Sequence, residues 1–413
     1  MATALSSLAP GLDRLDRLAA AMGDAILAGL AAPDREIRAL PAYLRKPTRD
    51  LTGRTVVLDV GGTHMRAAWV EMRAGEAALL APVAQNELML AAQKRELSTE
   101  EFLDAEADLI AAVCPERELS IGYCFSYPAT VNRDRDAILI EWTKGIRVRG
   151  VEGLAVGALL ADALRRRGRK VRAIAVLNDT VASLLAGAAM APDYDRHIGA
   201  IVATGTNMAG FYPLAAMPKL AATDRQGWRG DEVMAINLES GDFTPRDALT
   251  SWDDALDAAL PPDQRGNHRF EKAVSGAYLP RLLYDVAGRD ACAASGFDPA
   301  DPKTDAGTVV ELRADPRLGE VARLLIDRSA DLVAAGLAGL IRSYDAVGLT
   351  APRTGILVEG NLFHLTPGYA ARVVSRLGEL APKAEIGIIP KDSAAVPANI
   401  LGAASAVLPL SSA

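Results

Sequence analysis

Residues 54–70, Arg54-Thr-Val-Val-Leu-Asp-Val-Gly-Gly-Thr-His-Met-Arg-Ala-Ala-Trp-Val70, set an aspartate, two glycines and a threonine where they could meet phosphate. Val56, Leu58 and Val60 alternate with Val57 and Asp59, and Met65, Ala67 and Trp69 alternate beyond the glycines, the period of two that paired strands require. Gly61 and Gly62 can take φ > 0 and turn backbone N–H groups toward an anion. The period after the glycines excludes the strand–loop–helix layout of a P-loop or dinucleotide site. A hairpin gripping phosphate, with Asp59 beside it to hold hydrated Mg²⁺, suits nucleotide hydrolysis or phosphoryl transfer. An ordinary hairpin with a Gly-Gly turn carries the same letters.

A second copy of the pattern lies at His197-Ile-Gly-Ala-Ile-Val-Ala-Thr-Gly-Thr-Asn-Met-Ala-Gly-Phe211, again strand, Gly/Thr turn, strand. Repetition implies an internally duplicated α/β fold with a nucleotide between the halves. That is the two-lobed, actin-like (ribonuclease H-like) architecture with a central cleft, shared by actin, heat-shock chaperones and sugar kinases. Between the hairpins, a strand over 171–177 runs into Asn178-Asp179-Thr180 and a helix over 181–190. At such a junction the structural reading of Asp179 is an N-cap carboxylate.

The elements that must position these residues follow from periodicity. Helices are expected over 12–30, 103–113, 154–167, 321–344, 368–380 and 399–408, and strands over 118–125, 139–145 and 354–359. Residues 40–47 read as a Pro-bounded link, and 243–319 as mostly helix and loop. At 413 residues the chain exceeds one compact core. Its net charge of −7 argues against nucleic acid as a partner. The basic run Arg165-Arg-Arg-Gly-Arg-Lys170 reads as a solvated helix C-terminus.

Three widely spaced cysteines form no disulfide framework, and four histidines have no metal-ligand spacing, which points to a reducing cytoplasm and away from zinc. The Asp/Pro-rich stretch 297–305 lacks the central glycine and terminal glutamate of an EF-hand. Asp13, Arg14, Asp16 and Arg17 in the first helix exclude a signal peptide, and Gly336 and Gly339 interrupt an apolar run too short for a bilayer, so no membrane partner is expected.

Nine segments, in order, resemble the hexokinases of the glucokinase/hexokinase type. They are Leu40-Pro-Ala-Tyr43, Leu58-Asp-Val-Gly-Gly-Thr-His-Met-Arg66, Phe125-Ser-Tyr-Pro128, Trp142-Thr-Lys-Gly145, Leu177-Asn-Asp-Thr-Val-Ala-Ser183, Ala203-Thr-Gly-Thr-Asn207, Ile236-Asn-Leu-Glu-Ser-Gly-Asp-Phe243, Phe270-Glu-Lys-Ala-Val-Ser-Gly-Ala-Tyr-Leu279 and Val358-Glu-Gly-Asn361. The resemblance implies a single catalytic unit that passes the γ-phosphoryl group of Mg-ATP to the 6-hydroxyl of a hexose, with D-glucose the leading candidate; the sequence does not rank it against mannose, fructose or glucosamine. It makes Asp179 the general base, and it places Ser126, Thr143, Lys144, Asn178, Asn207, Glu239 and Glu271 around the sugar. Lys144 would also meet the transferring phosphate.

For the nucleotide it assigns Asp59 to Mg²⁺ through water, Gly61, Gly62 and Thr63 to one phosphate turn, and Thr204 and Gly205 to the other. Arg66 would lend charge, and Gly360 and Asn361 would lie beside the nucleoside. The implied small lobe covers 50–180 with the C-terminal helix, about 394–413, packed back on it; 1–49 and 181–393 form the large lobe. A monomer or homodimer in the cytoplasm is expected.

Five residues depart from the family pattern: His64 for Asn, Ala203 for Gly, Ser240 for Trp, and Glu359 and Asn361 in Glu359-Gly-Asn361 for Asp-Gly-Ser/Thr. A chaperone-like ATPase on the same fold would not need the sugar-facing set. A catalytically silent sugar sensor would not need Asp179 and Lys144.

Overall fold

A computed structural model describes residues 5–411; residues 1–4 and 412–413, the last of them within the expected C-terminal segment, lie outside the described residues. In chain order the strands are β1 (Leu40–Arg45), β2 (Gly53–Val60), β3 (Met65–Arg73), β4 (Glu76–Leu79), β5 (Ala84–Asn86), β6 (Glu118–Phe125), β7 (Ala129–Val131), β8 (Ala137–Leu139), β9 (Lys170–Leu177), β10 (Arg196–Val202), β11 (Thr206–Pro213), β12 (Val233–Asn237), β13 (Arg353–Glu359) and β14 (Glu385–Ile388).

The first sheet runs β4-β3-β2-β6-β9 and the second β1-β12-β11-β10-β13-β14. Each contains an antiparallel hairpin (β2–β3, β10–β11) continued by two parallel strands (β6 and β9; β13 and β14). The duplication read from two short hairpins thus extends to the strand order of both sheets.

Between the sheets lie two helices, Asp179–Met190 on the second sheet and Ala398–Ser411 on the first, and they pack against each other in one shared core. Missing side chains permit this close stacking. A Cβ on Gly122 would come within 2.1 Å of the Ala403 oxygen, one on Gly402 within 2.0 Å of the Ala182 oxygen, and one on Gly199 within 2.4 Å of the Leu184 nitrogen. The outer face of the first sheet is covered by Thr99–Val113, which Ser98 opens with a capping box, and by Val156–Arg166. The outer face of the second is covered by Leu12–Ala31 and the long helix Gly319–Ala346.

Two local expectations change. Residues 40–45 form a strand rather than a link: among the described residues β1 pairs only with β12, and an edge strand tolerates Pro41. The strand expected over 139–145 is β8, which ends at Leu139, and the chain then turns at Thr143, whose oxygen accepts the Ile146 N–H at 3.1 Å. Trp142 anchors that turn, donating its indole N–H to the Val148 oxygen at 2.8 Å and packing edge-on against Phe102, Phe125 and Tyr127. Among the described residues no helix is long and apolar enough to cross a membrane.

Candidate active site

Register assembles the site. Asp59 is level with Cys124, and Cys124 with Leu177, so β2, β6 and β9 deliver Asp59, Ser126 and Asn178-Asp179 to one edge of the first sheet. In the second sheet Ile201 is level with Glu359, so Ala203–Asn207 and Gly360 share an edge. Parallel strands present ligands at their carboxyl ends, and the candidate residues of both sheets gather there.

At the first hairpin the glycines act differently from the sequence expectation. Neither Gly61 nor Gly62 takes positive φ. Gly62 leaves room for the lysine, since a Cβ there would lie 2.9 Å from Lys144 Cδ and the stem would have to shift. The Gly61 oxygen accepts the Tyr127 hydroxyl at 2.7 Å, and the Gly62 oxygen accepts Gln93 Nε2 at 3.0 Å. The Thr63 hydroxyl is 2.8 Å from His64 Nδ1, so the departure at position 64 engages a side chain expected to face phosphate. Lys144 donates from Nζ to the Ser126 oxygen at 2.7 Å, and its φ of 59° aims the stem back over the hairpin.

Asp59 is 9% exposed. Burial pushes its carboxyl up, the Arg66 guanidinium 3.6 Å away pulls it down, and the Asp179 charge pushes it up again. Arg66 therefore faces the carboxylate at the root of the hairpin. Asn178, not Asp179, caps the next helix, its Oδ1 accepting the Thr180 N–H at 2.8 Å. Asp179 Oδ1 also accepts that N–H, while among the described residues Oδ2 accepts no hydrogen bond.

On the second sheet, Asn207, Asn237 and Glu239 form a relay: Asn207 Nδ2 donates to Asn237 Oδ1 and Asn237 Nδ2 to Glu239 Oε1, both at 2.7 Å. Asn207 Oδ1 accepts the N–H groups of Met208 and Ser240. Glu271 Oε2 accepts the Thr206 N–H at 2.9 Å, and a Cβ on Gly205 would lie 2.8 Å from it, so this acid is locked to the second hairpin. Burial pushes the carboxyls of Glu239 and Glu271 up, and the Asp179 charge adds to the rise at Glu239. A narrow cavity between the sheets is lined by Pro41, Tyr127, Asn178, Asn237 and Glu239.

Thr204 is exposed in the second turn, where its oxygen accepts the Ala277 N–H at 3.1 Å. Gly360 has φ 124°, and a Cβ there would lie 2.2 Å from the Val202 oxygen, so it is pressed against the second hairpin with Asn361 exposed beside it. Thr143 is half-buried beside Lys144.

Sequence reasoning missed several supporting residues. Asn237 lies within Ile236–Phe243, where its letter alone does not distinguish it from a turn residue. His268, with φ 50°, holds Asp242 at 2.7 Å, and Arg38 holds the same carboxylate at 3.3 Å. Lys144, Glu239 and His268 all take left-handed backbone, the kind of local strain that gathers at functional sites. Asn399 donates to Asp59 Oδ2 at 2.9 Å from the C-terminal helix.

Two sheets of matching order, each presenting a Gly/Thr hairpin to a shared cleft, define the two-lobed, actin-like class. A solved hexokinase from Schistosoma mansoni, complexed with glucose, shares this fold with a TM-score of 0.75 at 23% identity, covering 98% of this chain and 97% of that one. A ROK hexokinase from Thermus thermophilus aligns more distantly, with a TM-score of 0.56 over 87% of this chain and all (100%) of its own, at 19% identity. The chain belongs to the hexokinase family, whose sequence models match residues 2–189 and residues 197–289 and 315–408. It is thus an ATP-dependent hexose kinase.

Hexokinase-1 of Schizosaccharomyces pombe is 28% identical over 425 residues, covering 92% of this chain and 85% of its own. Hexokinase-7 of Oryza sativa subsp. japonica is 28% identical over 445 residues, covering 95% and 93%. Hexokinase-2 of Candida albicans is 31% identical over 266 residues, and there the match spans 62% of this chain and 54% of that protein.

Proposed function

We propose that the enzyme transfers the γ-phosphoryl group of Mg-ATP to the 6-hydroxyl of D-glucose, with Asp179 as general base. The observation that carries this reading is the setting of Asp179. Its Oδ2 is unengaged among the described residues, and its charge helps to raise the carboxyls of Asp59 from the first sheet and Glu239 from the second. Phosphoryl transfer has a loose transition state, so a positioned carboxylate accepting the hydroxyl proton serves better than a strong base.

Asn178, Thr143, Lys144 and Ser126 would hold the sugar from the first sheet, and Asn207, Glu239 and Glu271 from the second. Buried acceptors matched to several hydroxyls would reject an epimer that leaves one unmet, at about 1–3 kcal/mol each, and glucose is proposed because a solved hexokinase of this fold is complexed with it. Lys144, lying across the phosphate hairpin, would stabilise charge developing on the transferred group. The buried Asp59 carboxylate and its hard oxygen chemistry fit Mg²⁺ held through water. When bound, that ion would neutralise the phosphate oxygens.

Residues 50–180 with the C-terminal helix form the smaller lobe in this reading, and sugar binding closes it on the rest, excluding water from the phosphate. The test is ADP release with glucose, mannose, fructose, glucosamine or no sugar, crossed with ATP, other nucleotides and polyphosphate. Release dependent on glucose supports the proposal. Sugar-independent release would replace it with an ATPase, and no release with a sensor.

A further inference from the structure

Asp59 is gripped from an element 340 residues away. Asn399 Nδ2 donates to Asp59 Oδ2 at 2.9 Å, while Asn399 Oδ1 accepts the Ile400 N–H at 3.0 Å. The second bond fixes which end of the amide faces the carboxylate. The Arg66 guanidinium lies 3.6 Å from the same oxygen, the Cys124 thiol hydrogen-bonds the carboxylate, and the charges of Asp179 and Lys144 also act on it.

Asn399 stands in the first turn of the helix Ala398–Ser411, whose inward face is otherwise made largely of Ile400, Leu401, Ala403, Ala404 and Val407. Gly122 and Gly402 let that helix approach the backbone of the first sheet and of the helix that begins at Asp179. Packing alone gives no reason for a half-buried amide there.

We infer that Asn399 is a positioning residue for the divalent cation that accompanies the nucleotide. This rests on the reading of Asp59 as the magnesium-facing carboxylate. A neutral amide orients the carboxylate without bringing a positive charge that competes with the cation, as a second guanidinium beside Arg66 would. Groups that hold a metal-facing carboxylate from behind typically govern metal affinity by about 10–100-fold. Asn399 also joins Asp59 to the helix packed against that of Asp179, so the cation and the base share one rigid support.

The experiment uses the full chain without sugar. Binding of a non-hydrolysable ATP analogue is followed by calorimetry with saturating Mg²⁺ and with chelator, and glucose binding is measured separately. Asn399→Ala is expected to weaken the Mg²⁺-loaded analogue by about tenfold, while metal-free analogue and glucose stay within about twofold of the parent. Should that variant not fold, Asn399→Ser carries the same comparison. Unchanged Mg²⁺ dependence, or an equal loss with and without metal, overturns the inference.

Asp59→Asn separates the two levels. If it removes the Mg²⁺ dependence while Asn399→Ala does not, only the role of Asn399 falls. If neither changes it, the assignment of Asp59 falls as well.

Discussion

Lys144 lies across Gly62: a Cβ on the glycine would stand 2.9 Å from Lys144 Cδ, and the lysine continues to the Ser126 oxygen at 2.7 Å. Lys144 therefore spans from the first hairpin to the turn at Ser126. Gly62→Ala should push the lysine stem aside and lower kcat/KM for ATP by roughly 10²-fold, the size expected for an ångström-scale misplacement. Lys144→Met should lower kcat by about 10²–10³-fold. Steady-state kinetics check both, and normal turnover in Lys144→Met would remove the lysine from the chemistry.

Because Asn178 supplies the helix cap, Asp179 is free to act and its removal should leave the fold intact. Asp179→Ala is expected to reduce turnover by about 10²–10⁴-fold with glucose affinity largely retained. Asn178→Ala should instead cost about 1 kcal/mol of stability. Calorimetric glucose titration and thermal melting separate them; near-normal turnover without Asp179 would sink the assigned base.

Burial pushes the Glu106 carboxyl up to about 8, against a hydrogen bond from Tyr123 that lowers it. The folded protein then keeps a proton between pH 4.5 and 8 that the unfolded chain has released. The group's stabilising contribution is full below 4.5, is lost as pH rises through that window, and is constant above about 8. The slope is at most about 1.4 kcal/mol per pH unit. Glu106→Gln stays neutral, so its advantage over the parent in denaturant unfolding should grow from pH 5 to 8. Parallel curves would mean that Glu106 does not titrate in this range.

Gly402→Ala would drive a methyl group to 2.0 Å from the Ala182 oxygen. Overpacking of this kind costs about 1–3 kcal/mol or more. Since this seam ties Asp59 to the helix behind Asp179, melting temperature and kcat are expected to fall together. Unaltered melting would show that the helices can part without penalty.

Much of this molecule was legible in short-range pattern. Alternation on either side of Gly61-Gly62 and around Thr204-Gly205 named both hairpins, and the two copies implied the duplication. Residues 40–45 misled because Pro41 reads as a break, while an edge strand has a side that needs no N–H donor. Asp179 looked like a cap because either of two neighbouring residues can fill that position, and only backbone dihedrals assign it to Asn178.

The sequence by itself determined the chemical inventory: which acids, amides and lysine are present, and that hydrophobic period two and glycine turns place them at strand ends. The tertiary structure alone decided which of them touch. Gly62 beneath Lys144, Glu271 against Gly205, and Asn399 on Asp59 join residues far apart in the chain. Such contacts are set by strand register and by helices seated on bare backbone, neither of which leaves a local signature in the order of residues.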